Sequence, residues 1–237
     1  MTAPPLLSKT FNPINSLTEI SFASKDLRPR FSFKLILAGE SSVGKTSLIS
    51  AITNKEFLTR YTPTICFEYI WMNLLIHDSV IRLQIWDTCG QEIYQSLIKN
   101  FYHNASIAFL VFSLNDRNSF DKMDNWFKEI KEIRGDDLFL FLIGNKADLK
   151  QNELISSDEI QTFIKTHNIK YYGETSAKTG KGVDVVFKEA AKVVYNELIV
   201  GSENDWEKLS SCCSGVIDLS QPKKDNKACK DCLCCAQ

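Results

Sequence analysis

The sequence predicts an α/β domain built on a mostly parallel, six-stranded sheet with helices on both faces. Near-continuous apolar runs of strand length recur at Phe33–Ala38, Ser106–Phe112 and Leu138–Gly144, as strands covered on both faces require. Helical periodicities separate them, and a glycine-rich loop follows the first run directly.

In chain order, residues 1–31 are rich in Ser, Thr, Pro and Asn without a sustained period, and read as a flexible N-terminal extension. The domain is expected over residues 32–200. Phe33–Ala38 opens it as a buried strand, and Lys45–Thr53 suits a helix. Glu68–Ile76 and Val80–Trp86 flank His77-Asp78-Ser79, a hairpin signal. Ser106–Phe112 is the next strand. Ser119–Ile133 carries Phe120, Met123, Trp126, Phe127 and Ile130 at helical spacing. Leu138–Gly144 and Ile169–Thr175 complete the sheet, and Val183–Ile199 is a last amphipathic helix. After Val200 the chain turns polar, so residues 201–237 read as a hypervariable, cysteine-rich tail.

Hydrophobic residues make up 44% of the 237 and charged residues 24%, which suffices for a sizeable core. A formal net charge of −1 gives no global attraction to nucleic acid, so none is expected as a partner. No apolar run approaches the roughly 20 residues of a membrane-spanning helix. Of eight cysteines, only Cys66 and Cys89 lie in the body; Cys212, Cys213, Cys229, Cys232, Cys234 and Cys235 crowd the tail. That distribution argues against a disulfide scaffold and for a reducing, cytosolic setting.

Gly39-Glu40-Ser41-Ser42-Val43-Gly44-Lys45-Thr46 fits G-x-x-x-x-G-K-[ST], between a strand and a helix. This is the setting of a P-loop NTPase fold. Backbone N–H groups through Ser41, Ser42, Val43, Gly44 and on to Ser47 can wrap phosphates, Lys45 can reach the β and γ oxygens, and the Thr46 hydroxyl can ligate Mg²⁺. Alone, the loop specifies a nucleoside triphosphate and no particular base. Ile85-Trp86-Asp87-Thr88-Cys89-Gly90-Gln91-Glu92, Gly144-Asn145-Lys146-Ala147-Asp148 and Glu174-Thr175-Ser176-Ala177-Lys178 each close a strand. Ligands of open α/β sheets bind beyond the carboxyl ends of the strands, so all three face the phosphate loop.

With these motifs in this order, residues 33–200 resemble a Ras-superfamily small GTPase and, within it, a divergent Rab. The Rab likeness rests on Arg82-Leu83-Gln84-Ile85-Trp86, on Phe112 through Phe120, and on Tyr69, Trp86 and Phe101, which match an effector-facing aromatic triad. The resemblance implies a GTP/GDP switch that hydrolyses GTP slowly with Mg²⁺. Asp148 would accept from the N1–H and amine of guanine, and Asn145 would support the loop and the purine. The Lys146 stem would pack on the ring, near Phe57. Ala177 would offer its N–H to the guanine carbonyl, with Ser176 and Lys178 shaping that loop. Tyr61 and Thr64 belong to the first switch, where Thr64 would reach Mg²⁺ and the γ-phosphate. Asp87 would hold Mg²⁺ through water, the Gly90 N–H would meet the γ-phosphate, and Gln91 would orient the attacking water.

Cys66 stands where a glycine is usual, Cys89 where an alanine is usual, and Ile93-Tyr94 replaces a common Arg-Phe pair. These departures leave partner identity and hydrolysis rate open, and keep in play a pseudo-GTPase acting as a nucleotide-bound binding module. The Cys234-Cys235-Ala236-Gln237 ending resembles the prenylated cysteine pair of Rabs, either as C-a-a-X on Cys234 or as a double modification. A zinc site at Cys229, Cys232, Cys234 and Cys235 finds no second ligand cluster. The implied protein is a monomer cycling between cytosol and the cytoplasmic face of an intracellular membrane, Golgi or endosomal. Its implied partners are effectors, exchange factors, GTPase-activating proteins and prenyl-binding escort proteins.

Overall fold

The computed structural model describes residues 20–53, 68–87, 102–135, 138–149, 154–200 and 216–218. Its elements are β1 Ile20–Ala23, β2 Phe31–Ala38, α1 Lys45–Ile52, β3 Glu68–Ile76, β4 Ser79–Asp87, β5 Ile107–Ser113, α2 Arg117–Asp121, α3 Met123–Arg134, β6 Phe139–Asn145, α4 Ser157–Thr166, β7 Tyr171–Glu174, α5 Val183–Val194 and β8 Val216–Asp218.

The path across the sheet is β1-β3-β4-β2-β5-β6-β7, with β8 added beside β2. Strands β4, β2, β5, β6 and β7 are parallel neighbours, whereas β3 turns back antiparallel on β4 through a hairpin at His77 and Asp78. The continuous apolar strands owe their composition to two cores. Leu35 and Leu37 of β2, Phe109 and Val111 of β5, and Phe141 and Ile143 of β6 point to one face, under Leu48 and Ile49 of α1 and Val186, Phe187 and Ala190 of α5. Ile36, Ala108, Leu110, Leu140 and Leu142, one residue out of phase, meet Phe120, Met123, Trp126 and Ile130 of α2 and α3 and Ile160 and Phe163 of α4 on the other. A period of two along each strand therefore serves both layers at once.

The six expected strands are all present, with ends shifted by one or two residues, and two more join them. Strand β1 lies inside the stretch expected to be a flexible arm. It pairs antiparallel with Asn73–Ile76, and the buried Asn73 side chain donates to the carbonyls of Ser24 (2.9 Å) and Leu27 (3.0 Å). Arg30 N–H then bonds the Val80 carbonyl, and the chain enters β2 at Phe31. Strand β8, inside the expected tail, pairs antiparallel with Phe31–Phe33. The helix expected over 119–133 is broken at Lys122 into α2 and α3. The last helix changes to π geometry over Tyr195–Val200. Helix α4 was not anticipated from periodicity.

Candidate functional site

The carboxyl ends of β2, β4, β6 and β7 converge on one edge of the sheet. Loop 39–44 leaves β2 with φ of +143° at Gly39 and +101° at Gly44. Both glycines are demanded by proximity as well as by φ. A Cβ on Gly39 would lie 2.1 Å from the Val111 carbonyl oxygen, and one on Gly44 would lie 2.4 Å from Asn145 Nδ2. Val43 is buried and anchors the loop, while Ser41 and Ser42 face solvent, Ser42 at φ +64°. Gly44 gives α1 no side-chain cap, and the first turn holds no acidic residue. The positive end of the α1 dipole therefore adjoins the loop with no acidic side chain against it, which suits an anion.

Lys45 is 5% exposed, and its ammonium donates to the carbonyls of Gly39 (2.7 Å) and Glu40 (2.9 Å). That hold folds the lysine over its own loop. Thr46 Oγ1 donates to Asp87 Oδ2 at 2.5 Å, and Asp87 is fully buried at the end of β4. Two hard oxygens meeting beside the loop match what Mg²⁺ takes. Ser47 follows, half-buried on α1.

On β6, Asn145 is 1% exposed and engaged at both ends. Its Nδ2 donates to the Val43 carbonyl (2.9 Å), while Oδ1 accepts from Ala177 N–H (3.2 Å) and Thr175 Oγ1 (3.2 Å). Lys146 turns the chain at φ +63°. Asp148, in the following 3₁₀ turn, accepts from Ser176 Oγ at 2.6 Å, and Ala147 N–H bonds the Thr175 carbonyl. The loop of Ser176, Ala177 and exposed Lys178 is closed by Ser176 N–H to the Lys181 carbonyl and Gly180 N–H to the Ser176 carbonyl.

The structure therefore brings together Ser41 through Ser47, Asp87, Asn145, Lys146, Asp148, Ser176, Ala177 and Lys178. Phe57, Tyr61, Thr64, Gly90, Gln91, Phe101, Cys66, Cys89, Cys234 and Cys235 lie outside the described residues. Two expectations are refined. The Asn145 amide reaches the phosphate loop and the Ala177 loop, both within the protein. The Ala177 N–H expected to meet the base bonds Asn145 here. Thr175, fully buried, was missed as a second donor to Asn145 Oδ1, beside the Ala177 N–H. Also missed was the capture of Glu40 by Lys122 and Trp126, residues too far along the chain for any local pattern to join.

The Ras family model matches residues 34–196. A Dictyostelium discoideum protein, Ras-related protein Rab-2B, is 35% identical over 166 residues, covering 70% of this chain and 82% of that protein. The chain is a Rab-type small GTPase of the Ras family. Ras-family members hydrolyse GTP, and they bind GTP or GDP with Mg²⁺. The P-loop fold just described is theirs, with two short strands added. On the Rab surface outside the nucleotide site, Tyr69 is 45% exposed and its ring lies 4.9 Å from that of Trp86, over which Lys34 Nζ sits at 4.8 Å. Two members of the expected aromatic triad are thus adjacent.

Proposed function

We propose that this Rab-type GTPase is a working switch that binds GTP with Mg²⁺, hydrolyses it slowly, and recruits effectors on the cytoplasmic face of an intracellular membrane. One observation carries the reading: a phosphate loop, a Thr46–Asp87 oxygen pair and the Asn145–Asp148–Ser176 cluster meet at the same strand ends. Lys45 and the first N–H groups of α1 would bind the phosphates. Thr46, Asp87 and Thr64 would hold the metal, which would neutralise phosphate charge when bound. The Asp148 carboxylate accepts from the Ser176 hydroxyl through Oδ1 and would accept from a purine N1–H and amine. Gln91 would place the attacking water, with the Gly90 N–H on the γ-phosphate. The two switches would order around GTP and relax around GDP, exposing or withdrawing the surface near Tyr69 and Trp86. No helix among the described residues is long and apolar enough to cross a membrane. Membrane residence would rest on prenylation of the adjacent Cys234 and Cys235 near the end of the sequence.

Single-turnover GTP hydrolysis tests the switch. Gln91→Leu should bind GTP with little change yet turn over at least about tenfold more slowly, because the water loses its orienting partner. Equal rates for the two proteins would instead favour a nucleotide-bound binding module, the reading that Cys66 and Cys89 in the switch sequences bring forward.

A further inference from the structure

The phosphate loop gathers the negative charge of a nucleotide, yet its second residue, Glu40, is itself an anion. The structure shows where that charge goes. Glu40 Oε2 accepts from Lys122 Nζ at 2.8 Å, and Oε1 accepts from Trp126 Nε1 at 3.0 Å. The two donors stand four residues apart, one turn of helix, and so share a face. Lys122 sits at the break between α2 and α3, which aims its side chain at the loop. Trp126 is 7% exposed, a ring fixed by the core of that layer. The main chain of Glu40 belongs to the phosphate machinery, since its carbonyl accepts from Lys45 Nζ.

We infer that Lys122 and Trp126 are positioning residues for nucleotide retention: they draw the Glu40 carboxylate toward α3 and neutralise it, keeping a charge like that of the phosphates away from them and from competing with them for Lys45. The inference rests on the phosphate loop being the nucleotide site. A pair that merely braced the fold would make each residue equally replaceable by stability. A charge-withdrawing clamp has a different signature. Removing the lysine leaves an uncompensated carboxylate beside the phosphates, and that is worse than having no carboxylate at all.

The full-length protein, loaded with a fluorescent GDP in Mg²⁺, is chased with excess unlabelled GDP. Lys122→Met should release nucleotide about tenfold faster than the unaltered protein, the scale of one uncompensated partly buried charge. Lys122→Arg, which keeps charge and a donor, should restore slow release. The Glu40→Gln, Lys122→Met double variant should release about tenfold more slowly than Lys122→Met alone. Trp126→Phe should shift the ³¹P resonance of the bound β-phosphate, because the loop loses one of its two guides. A double variant as fast as Lys122→Met, or a Lys122→Met rate equal to that of the unaltered protein, would overturn the clamp. Failure of the unaltered protein to retain GDP would overturn the nucleotide reading itself.

Discussion

Asn145 joins two loops that sequence separates by about a hundred residues on one side and thirty on the other. Fastened to the Val43 carbonyl and to the Ala177 N–H, it ties the loop of residues 39–44 to the Ala177 loop. Asp148 is oriented by the latter loop through the Ser176 hydroxyl. Replacing Asp148 by Asn should therefore change base preference more than it disturbs the loop. GTP affinity should fall about tenfold or more, the loss of a charge-assisted pair, and xanthosine triphosphate, with an acceptor where guanine has a donor, should gain. A competition titration reads both. At this scale the sequence was informative about which residues assemble, because motif residues sit at strand ends whose convergence is a rule of the fold. What each side chain grips was less legible. Asn145 and Glu40 bond partners chosen by three-dimensional proximity, and no spacing in the chain encodes them.

Among the elements, strands β2, β5 and β6 were legible because burial on both faces leaves long apolar runs. Strand β1 was not, since Ser21 and Phe22 at its centre are exposed and only four residues pair. It is held by Asn73, whose amide satisfies Ser24 and Leu27 and whose Oδ1 accepts from Arg82 Nε at 3.2 Å. Arg82 in turn lies 4.0 Å from the Trp71 ring centroid. Asn73 is itself only 1% exposed, and Asn73→Ala would remove its two hydrogen bonds to the Ser24 and Leu27 carbonyls, which should cost about 1–3 kcal/mol in denaturant unfolding. Helix α4 did leave a signal, the capping box of Ser156 and Glu159, at the start of a stretch with few apolar residues. The Ser156 N–H and hydroxyl, aided by Arg117 at 2.7 Å, hold the Glu159 carboxyl down to about 2 from its ordinary 4.5. A depressed carboxyl stabilises the fold above its unfolded value and loses that contribution as pH falls toward its folded one. The stability gap between the native protein and Glu159→Gln should hold at neutral pH and close between 4.5 and about 2. Thermal melts across that range measure it.

Taken whole, the molecule has two ends along β2. Its carboxyl end opens into the nucleotide loops, while its amino end, Phe31–Phe33, carries β8 from the tail. Membrane residence, as proposed, belongs to residues beyond β8. The Cys234→Ser, Cys235→Ser double variant should become cytosolic while retaining nucleotide, since each lost prenyl chain removes about 0.8 kcal/mol per buried methylene. Fractionation followed by nucleotide release reads both halves. The cysteine pair was plain in the sequence. The docking of β8 was not, because Val216-Ile217-Asp218 is too short to show a period, and its partner strand is complete without it.

The docking of β8 shortens the reach of the tail. Were the tail free from Val200 onward, the chain to Cys234 could stretch to about 115 Å. With Asp218 pinned against Phe31, the same cysteine can lie at most about 55 Å away, even fully extended. A lipid carried there would keep the domain on a leash of half the length, tied at the end of β2 opposite the nucleotide. The carboxyl end of β2 would then lie on the side away from the tether, and an effector would meet it within a bounded rather than an open-ended height above the membrane.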